Sequence, residues 1–404
     1  MKNKLNILII NHLFFPDQSA LSQVITDLSL GLSDQGFDIS VICSKFEQVK
    51  NLDDKLPENH QIKIEYVSGT NYGKSTFIGR LIDYITFYLF SLWHAVTKNN
   101  PDIVITTTAP PFIGLVGVVM KIFKGSKFIY YMQDVYPQTA IKLGVLRSTI
   151  VIRFYEYLLR LILRYSDWIV VIGEDMYDSI KRVYNFNNIS IIHNWADGED
   201  IKPIEMKDNI FIKQYNLHNK FIVMYSGNFG LAHEFIPILT AAEEMKSLDA
   251  IQFILIGEGK LRSVIEKVIN EKNLHNVYLF PFQTRAMLKH SITAADISLI
   301  SLIDGLEGYI VPSKIYRLLA AGRSIIFLGS SKSVISQIIE NAHCGYTVNN
   351  NNVKELVQII NNQFTYRELN KQLGNNARKY FEHNYQRTFA LEKFYILIKK
   401  ISAS

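Results

Sequence analysis

Val311-Pro312-Ser313-Lys314-Ile315-Tyr316-Arg317-Leu318-Leu319-Ala320-Ala321-Gly322-Arg323-Ser324-Ile325-Ile326 reads as a turn, a short apolar helix and the start of a strand. The turn carries a hydroxyl and an ammonium; Ala-Ala-Gly ends the helix, and β-branched residues follow. A helix start presents unpaired N–H groups and the positive end of the dipole, so this turn suits a phosphate. Ser313 can donate a hydrogen bond there and Lys314 adds a full charge. In any other α/β protein the same Pro-Ser-Lys would be an ordinary helix start, so the rest of the chain decides its meaning.

Outward from this stretch the alternation repeats. Phe221 to Tyr225, Phe253 to Ile256, Val277 to Phe280, Ile297 to Ser301 and Ser324 to Leu328 are short apolar runs separated by helix-length segments. Leu5 to Ile10, Ile39 to Cys43, Ile103 to Thr107, Phe128 to Met132 and Trp168 to Ile172 form an equivalent earlier series. Strands alternating with helices predict parallel sheets covered on both faces. The charged run Asp197-Gly198-Glu199-Asp200 reads as a linker between the series. The expected architecture is α/β, two Rossmann-like doubly wound domains facing a cleft, residues 1–196 and 197–384. The aromatic and basic stretch over 385–404 is expected to be helical.

The second half concentrates turns compatible with phosphate. Strand 221–225 runs into Ser226-Gly227-Asn228-Phe229-Gly230, where glycines let backbone approach a pyrophosphate. Gly257-Glu258-Gly259-Lys260-Leu261-Arg262 follows the next strand and places two cations near a helix start, positioned to neutralise a phosphate. A single glycine-rich turn is a common packing device. Three such turns at strand carboxyl ends in one half form a constellation, because open α/β sheets bind ligands there.

Bulk properties permit this reading without selecting it. The chain has 404 residues, 48% hydrophobic, which is room for two or three domains with substantial cores. Cys43 and Cys344 give no disulfide framework and fit a reducing compartment. Lys2 and Lys4 precede an apolar run, but Asn11 and His12 interrupt it and Phe-Phe-Pro-Asp replaces a cleavage site, so a buried strand is expected rather than a signal peptide. No uninterrupted apolar stretch predicts a membrane span. No metal site is expected: there is no Asp-x-Asp pair, the nearest approach Asp197-Gly198-Glu199 falls in the linker, and the histidines show no zinc-like spacing. Gly69-Thr70-Asn71-Tyr72-Gly73-Lys74-Ser75 nearly spells a P-loop, with Asp134 as a possible Walker-type acid, but has three residues between its glycines where four are required. A polar loop explains that segment better than an NTPase.

Five motifs stand in a fixed order: Pro16-Asp17-Gln18-Ser19-Ala20 with Leu28 and Gly36, Gln133-Asp134-Val135-Tyr136-Pro137, Asn194-Trp195-Ala196-Asp197, Tyr225-Ser226-Gly227-Asn228-Phe229-Gly230, and Pro312-Ser313-Lys314. Together they resemble the family 4 retaining glycosyltransferases of GT-B fold, and within them the O-antigen and capsule subgroup that includes N-acetyl-L-fucosamine transferases. The resemblance implies a nucleotide-diphosphate sugar as substrate, with no cofactor, most often UDP-linked (UDP-FucNAc or UDP-GlcNAc). It implies transfer with retention onto a polyprenyl-diphosphate-linked glycan at the inner face of the cytoplasmic membrane, and a C-terminal helix crossing back to the first domain. Gly227, Asn228, Phe229, Gly257, Lys260, Arg262, Ser313 and Lys314 would line the diphosphate by this resemblance, and Pro281 with Phe282 would flank the base.

The chain departs from the family at one point. Family members commonly carry two glutamates separated by seven residues near the helix; Glu307 fits the first, but Ile315 stands in the second register. Alignment through Ala-Ala-Gly puts Arg317 there instead, and a guanidinium accepts no hydroxyl protons. Sugar transfer passes through an oxocarbenium-like state while charge grows on the diphosphate, so fixed cations there lower the barrier. With no second carboxylate as nucleophile, departure and attack on one face fit better than double displacement. Asp134 is the acceptor-side candidate for orienting or deprotonating a hydroxyl. A GT-B UDP-N-acetylglucosamine 2-epimerase is the nearest alternative.

Membrane contact has its own signal. Between Lys121 and Arg164 eight cations face only Asp134 and Glu156, in a chain of net charge +6. Arg153, Arg160 and Arg164 share a helical face near Phe154, Tyr157, Leu158 and Leu161, and Phe77 to Ala95 adds Tyr84, Phe87, Tyr88 and Trp93. Basic side chains with interfacial aromatics suit an anionic leaflet. No nucleic-acid-binding module accompanies the charge.

Overall fold

The computed structural model describes residues 4–17, 19–45, 62–70 and 77–403. Two compact units emerge, Met1–His193 with Thr388–Ser404, and Asn194–Arg387. Most of the near-P-loop, residues 71–75, lies outside the described residues, as does Gln18.

The first unit is built on seven parallel strands: β1 (Asn6–Ile10), β2 (Asp38–Ser44), β3 (Ile62–Val67), β4 (Ile103–Thr106), β5 (Lys127–Tyr131), β6 (Trp168–Val171) and β7 (Ile189–Ile191). Their order is β3-β2-β1-β4-β5-β6-β7, so the winding reverses between β1 and β4, with Ile7 paired to both Ile39 and Ile103. Leu8, Ile9 and Ile10 are fully buried, which explains why β1 reads as a continuous apolar run rather than an alternating one. The helix Arg387–Ser402 packs within this unit from Thr388 onward. Its Phe394 ring meets Tyr131 at 5.1 Å, and Leu391 lies over Gly31, where a Cβ would stand 2.4 Å from Leu391 Cδ1.

The second unit carries β8 (Phe221–Ser226), β9 (Ile251–Ile256), β10 (Val277–Phe280), β11 (Ile297–Ser301), β12 (Ser324–Leu328) and β13 (Gly345–Val348). All pairs are parallel, in the order β10-β9-β8-β11-β12-β13, the doubly wound dinucleotide-binding order with its switch point between β8 and β11. The charged run at 197–200 is a closed turn of this unit rather than a loose linker. Asp197 accepts the Glu199 and Asp200 N–H groups and pairs with Arg387, while the Arg378 guanidinium donates to the Gly198, Ile201 and Ala320 carbonyls.

Candidate active site

At the switch point of the second unit, the turns after β8 and β9 are joined to each other. Gly227 N–H donates to the Ile256 carbonyl, Phe229 N–H to Glu258 and Leu261 N–H to Phe229. This pairing demands close backbone approach. A Cβ on Gly257 would stand 1.9 Å from the Gly227 carbonyl oxygen, at a φ of +157°. Gly257→Ala must therefore part the two turns. It is expected to destabilise the second unit by about 1–3 kcal/mol, read by urea denaturation.

Lys314 begins the helix Lys314–Ala320, which follows the loop after β11, and reaches back across the switch point. Its Nζ sits 3.5 Å from the centroid of the Tyr225 ring, at the end of β8. The residue keeps some surface, yet Nζ itself is buried with no hydrogen-bond partner among the described residues. Gly227 leaves the space it occupies, since a Cβ there would lie 2.8 Å from Nζ. Burial holds the ammonium well below its ordinary pKa. A ring face replaces only part of a lost hydration shell, and the three N–H donors remain unmet. An anion placed against these turns would satisfy them. The helix has seven residues, so the ammonium rather than the dipole carries the charge here.

His233 completes the surroundings and was not anticipated from the sequence. Its Nδ1 donates to the Ser301 carbonyl, and burial, reinforced by the charge of Lys314, pushes its pKa down to about 3. The ring is therefore neutral and adds no competing charge. Ser301 Oγ donates to the Glu234 carbonyl and accepts the Glu234 N–H, clamping this loop onto the end of β11. A histidine six residues beyond Gly227 in the same loop was the available signal.

Several expected site residues have other duties. Phe229 is a core residue: its ring is fully buried against Tyr225 and Phe235, and its N–H and carbonyl serve the paired turns. Arg262 is not a free cation, because Glu258 and Glu266 take its Nη1 and Nε at 2.9 and 2.8 Å, and Nη1 also braces the Gly257 carbonyl. Glu307 bends back to accept the Gly305 N–H at 2.7 Å, closing its own turn, and Ile315 is fully buried packing. Asn228 and Lys260 remain exposed at the turns, and Pro281 and Phe282 are exposed after β10. Ser313 makes no side-chain cap bond, so its hydroxyl is not spent on the helix.

In the first unit, Asp134 follows β5. The backbone N–H groups of Gln133 and Asp134 both donate to Thr108 Oγ1, at 3.2 Å each, which ties the segment to the loop after β4 beside the switch point. Burial pushes the Asp134 carboxyl up to about 6. The helix that follows, Gln138–Lys142, has Pro137 at its N-cap and no side-chain cap there.

Two doubly wound parallel sheets in one chain are the architecture of the GT-B fold. Residues 21–200 match the Glycosyltransferase Family 4 model and residues 206–380 the Glycosyl transferases group 1 model; the chain belongs to the family 4 glycosyltransferases. It is 27% identical over 316 residues to a probable glycosyltransferase WbjE of Pseudomonas aeruginosa, covering 78% of each chain. It is 24% identical to the putative colanic acid biosynthesis glycosyl transferase WcaI of Escherichia coli, over 41% of each. Among solved structures, Anabaena HepE in complex with UDP-glucose superposes with a TM-score of 0.74 at 13% identity, across 98% of this chain and 100% of HepE.

Proposed function

We propose that this protein transfers an N-acetylated sugar from a UDP-linked donor to a polyprenyl-diphosphate-linked glycan in surface-polysaccharide synthesis, with retention and without a metal. The buried, unpartnered Lys314 ammonium between the glycine turns carries the reading. As the sugar's anomeric carbon parts from the phosphate oxygen, the bond's electron pair moves to the diphosphate. The charge of Lys314, with Ser313 and Lys260 at the same turns, is worth more at that moment than in the bound donor. The acceptor oxygen forms the new bond on the face the diphosphate leaves, and Asp134 orients that hydroxyl or takes its proton. HepE, crystallised with UDP-glucose, supports the nucleotide, and WcaI's role in colanic acid synthesis supports the polysaccharide product.

A panel of UDP-sugars offered with a lipid-diphosphate acceptor, read by mass spectrometry, tests this function. Free UDP with an extended, α- or β-retained product is expected. An epimerised UDP-sugar with no transfer would favour the 2-epimerase instead.

The same reading places the protein on an anionic membrane surface. No described helix is long and apolar enough to cross a membrane. Arg153, Arg160 and Arg164 are nevertheless exposed on the helix Thr149–Tyr165, beside Phe154 and Tyr157 at 55% and 61% exposure. Replacing the three arginines by Ser is expected to release the protein from anionic liposomes, each near-surface cation contributing on the order of 1 kcal/mol. Equal binding of the parent protein to neutral and anionic liposomes would contradict the electrostatic part.

A further inference from the structure

We propose that an apolar cavity in the first unit seats the hydrocarbon tail of the lipid-linked acceptor. The identity of the occupant rests on the glycosyl-transfer reading; the cavity's preference for a chain with an anionic head does not. The cavity holds about 520 Å³, within the ~300–1,000 Å³ usual for ligand pockets. The helices Phe77–Lys98, Gly114–Lys124 and Thr149–Tyr165 wall it through residues such as Leu92, Leu115, Val119 and Leu158. The Tyr88 hydroxyl beside it is already committed, donating to the Pro111 carbonyl. Phe112, at a φ of +68° that an aromatic side chain seldom adopts, turns its ring onto Tyr155 at 4.8 Å to complete the wall. A lining this apolar offers water few partners and favours a hydrocarbon ligand.

Three observations select a lipid tail with an anionic head whose sugar is the acceptor. The lining continues onto the surface, because Leu89, Val145 and Phe154 line the cavity and are each more than half exposed. Lys142, Arg147 and Arg153 stand exposed on the adjoining loop and helix, complementary to a phosphate or diphosphate at the mouth. Tyr136 and Pro137 form part of the wall, two and three residues beyond Asp134, so a chain seated there brings its head group to the acceptor carboxylate's segment.

The test is binding of isopentenyl, geranyl, farnesyl and geranylgeranyl phosphates to the full chain without membranes, by calorimetry, with inorganic phosphate as the control. Affinity should rise at least tenfold along the series, since a fully buried methylene contributes roughly a factor of four and two such already exceed tenfold. Ala140→Trp and Val119→Trp, accepted only if their melting temperatures match the parent, should flatten that gradient. A photoreactive geranyl phosphate should label residues within 82–98, 114–124 and 149–165 of the unaltered protein. Equal affinity across the series, or labelling elsewhere, would overturn the proposal. So would dihexanoyl phosphatidylglycerol competing as well as farnesyl phosphate, which would give the cavity to bulk membrane lipid. A chain-length gradient in a protein that transfers no sugar would uphold the cavity and sink the glycosyl-transfer reading alone.

Discussion

Lys314→Met is expected to make the free protein more stable while cutting glycosyl transfer at least ~tenfold. The two effects share one cause. In the free protein the ammonium is buried on the Tyr225 ring with its donors unmet, a condition that costs about 1–3 kcal/mol. Methionine has a similar reach and no polar hydrogens, so the second unit should melt roughly 2–10 °C higher. The gain should depend on pH. Burial lowers the folded-state pKa of Lys314, so between that lowered value and the ordinary ~10.4 the unfolded chain binds more protons than the folded one. Parent stability therefore rises with pH across that window, and the advantage of Met shrinks. With donor bound the sign reverses: a charge-assisted contact worth about 1.5–3 kcal/mol disappears, a loss of roughly 10- to 150-fold. Thermal melts with and without UDP check both halves; a variant that is destabilised and still fully active would remove the assignment.

Asp134→Asn should depress transfer by about 10²-fold or more while leaving donor affinity near the parent value. The carboxyl belongs to the first unit and the glycine turns proposed to hold the donor to the second, so on this proposal the change touches only the acceptor side. The pH profile supplies a second signature. With Asp134 pushed up to about 6 by burial, the ionised form that orients or deprotonates the acceptor should appear as an acid limb near pH 6, and Asn should abolish that limb. The stability linkage runs the other way. A carboxyl whose folded pKa is raised adds stability that is complete below about pH 4 and is lost as pH climbs through 6. Asn at 134 should therefore match or exceed the parent's stability at neutral pH, separating lost chemistry from lost folding. Transfer assays from pH 5 to 8 with parallel melts measure both, and loss of UDP affinity in an intact variant would refute the division of labour.

The strands buried on both faces were legible because burial writes continuous apolar runs, as in 7–10 and 253–256. Two of the edge strands, β3 and β13, were not. Ile62–Val67 alternates exposed and buried positions, and Gly345–Val348 opens on a glycine with half-buried neighbours, so neither stands out from the surrounding polar sequence. At the site, the residue types were readable but not their partners. Lys314 and Arg262 look alike as cations beside helix starts; one is orphaned because its contact, Tyr225, lies in a distant segment, while the other is consumed locally. Glu258 and Glu266 stand four residues on either side of Arg262, a spacing that allows the pairing but was not read as one. Phe229 shows the converse limit: within a glycine-rich turn, nothing in the sequence says which side chain points back into the core.

The measurement closest to the central claim is calorimetric titration of UDP and of uridine into the parent protein and Lys314→Met. If the unmet ammonium anchors the donor's diphosphate, the parent should bind UDP far more tightly than uridine, and Met should shrink that ratio roughly 10- to 150-fold while leaving uridine affinity unchanged. An undiminished ratio in a folded Lys314→Met protein would contradict the account.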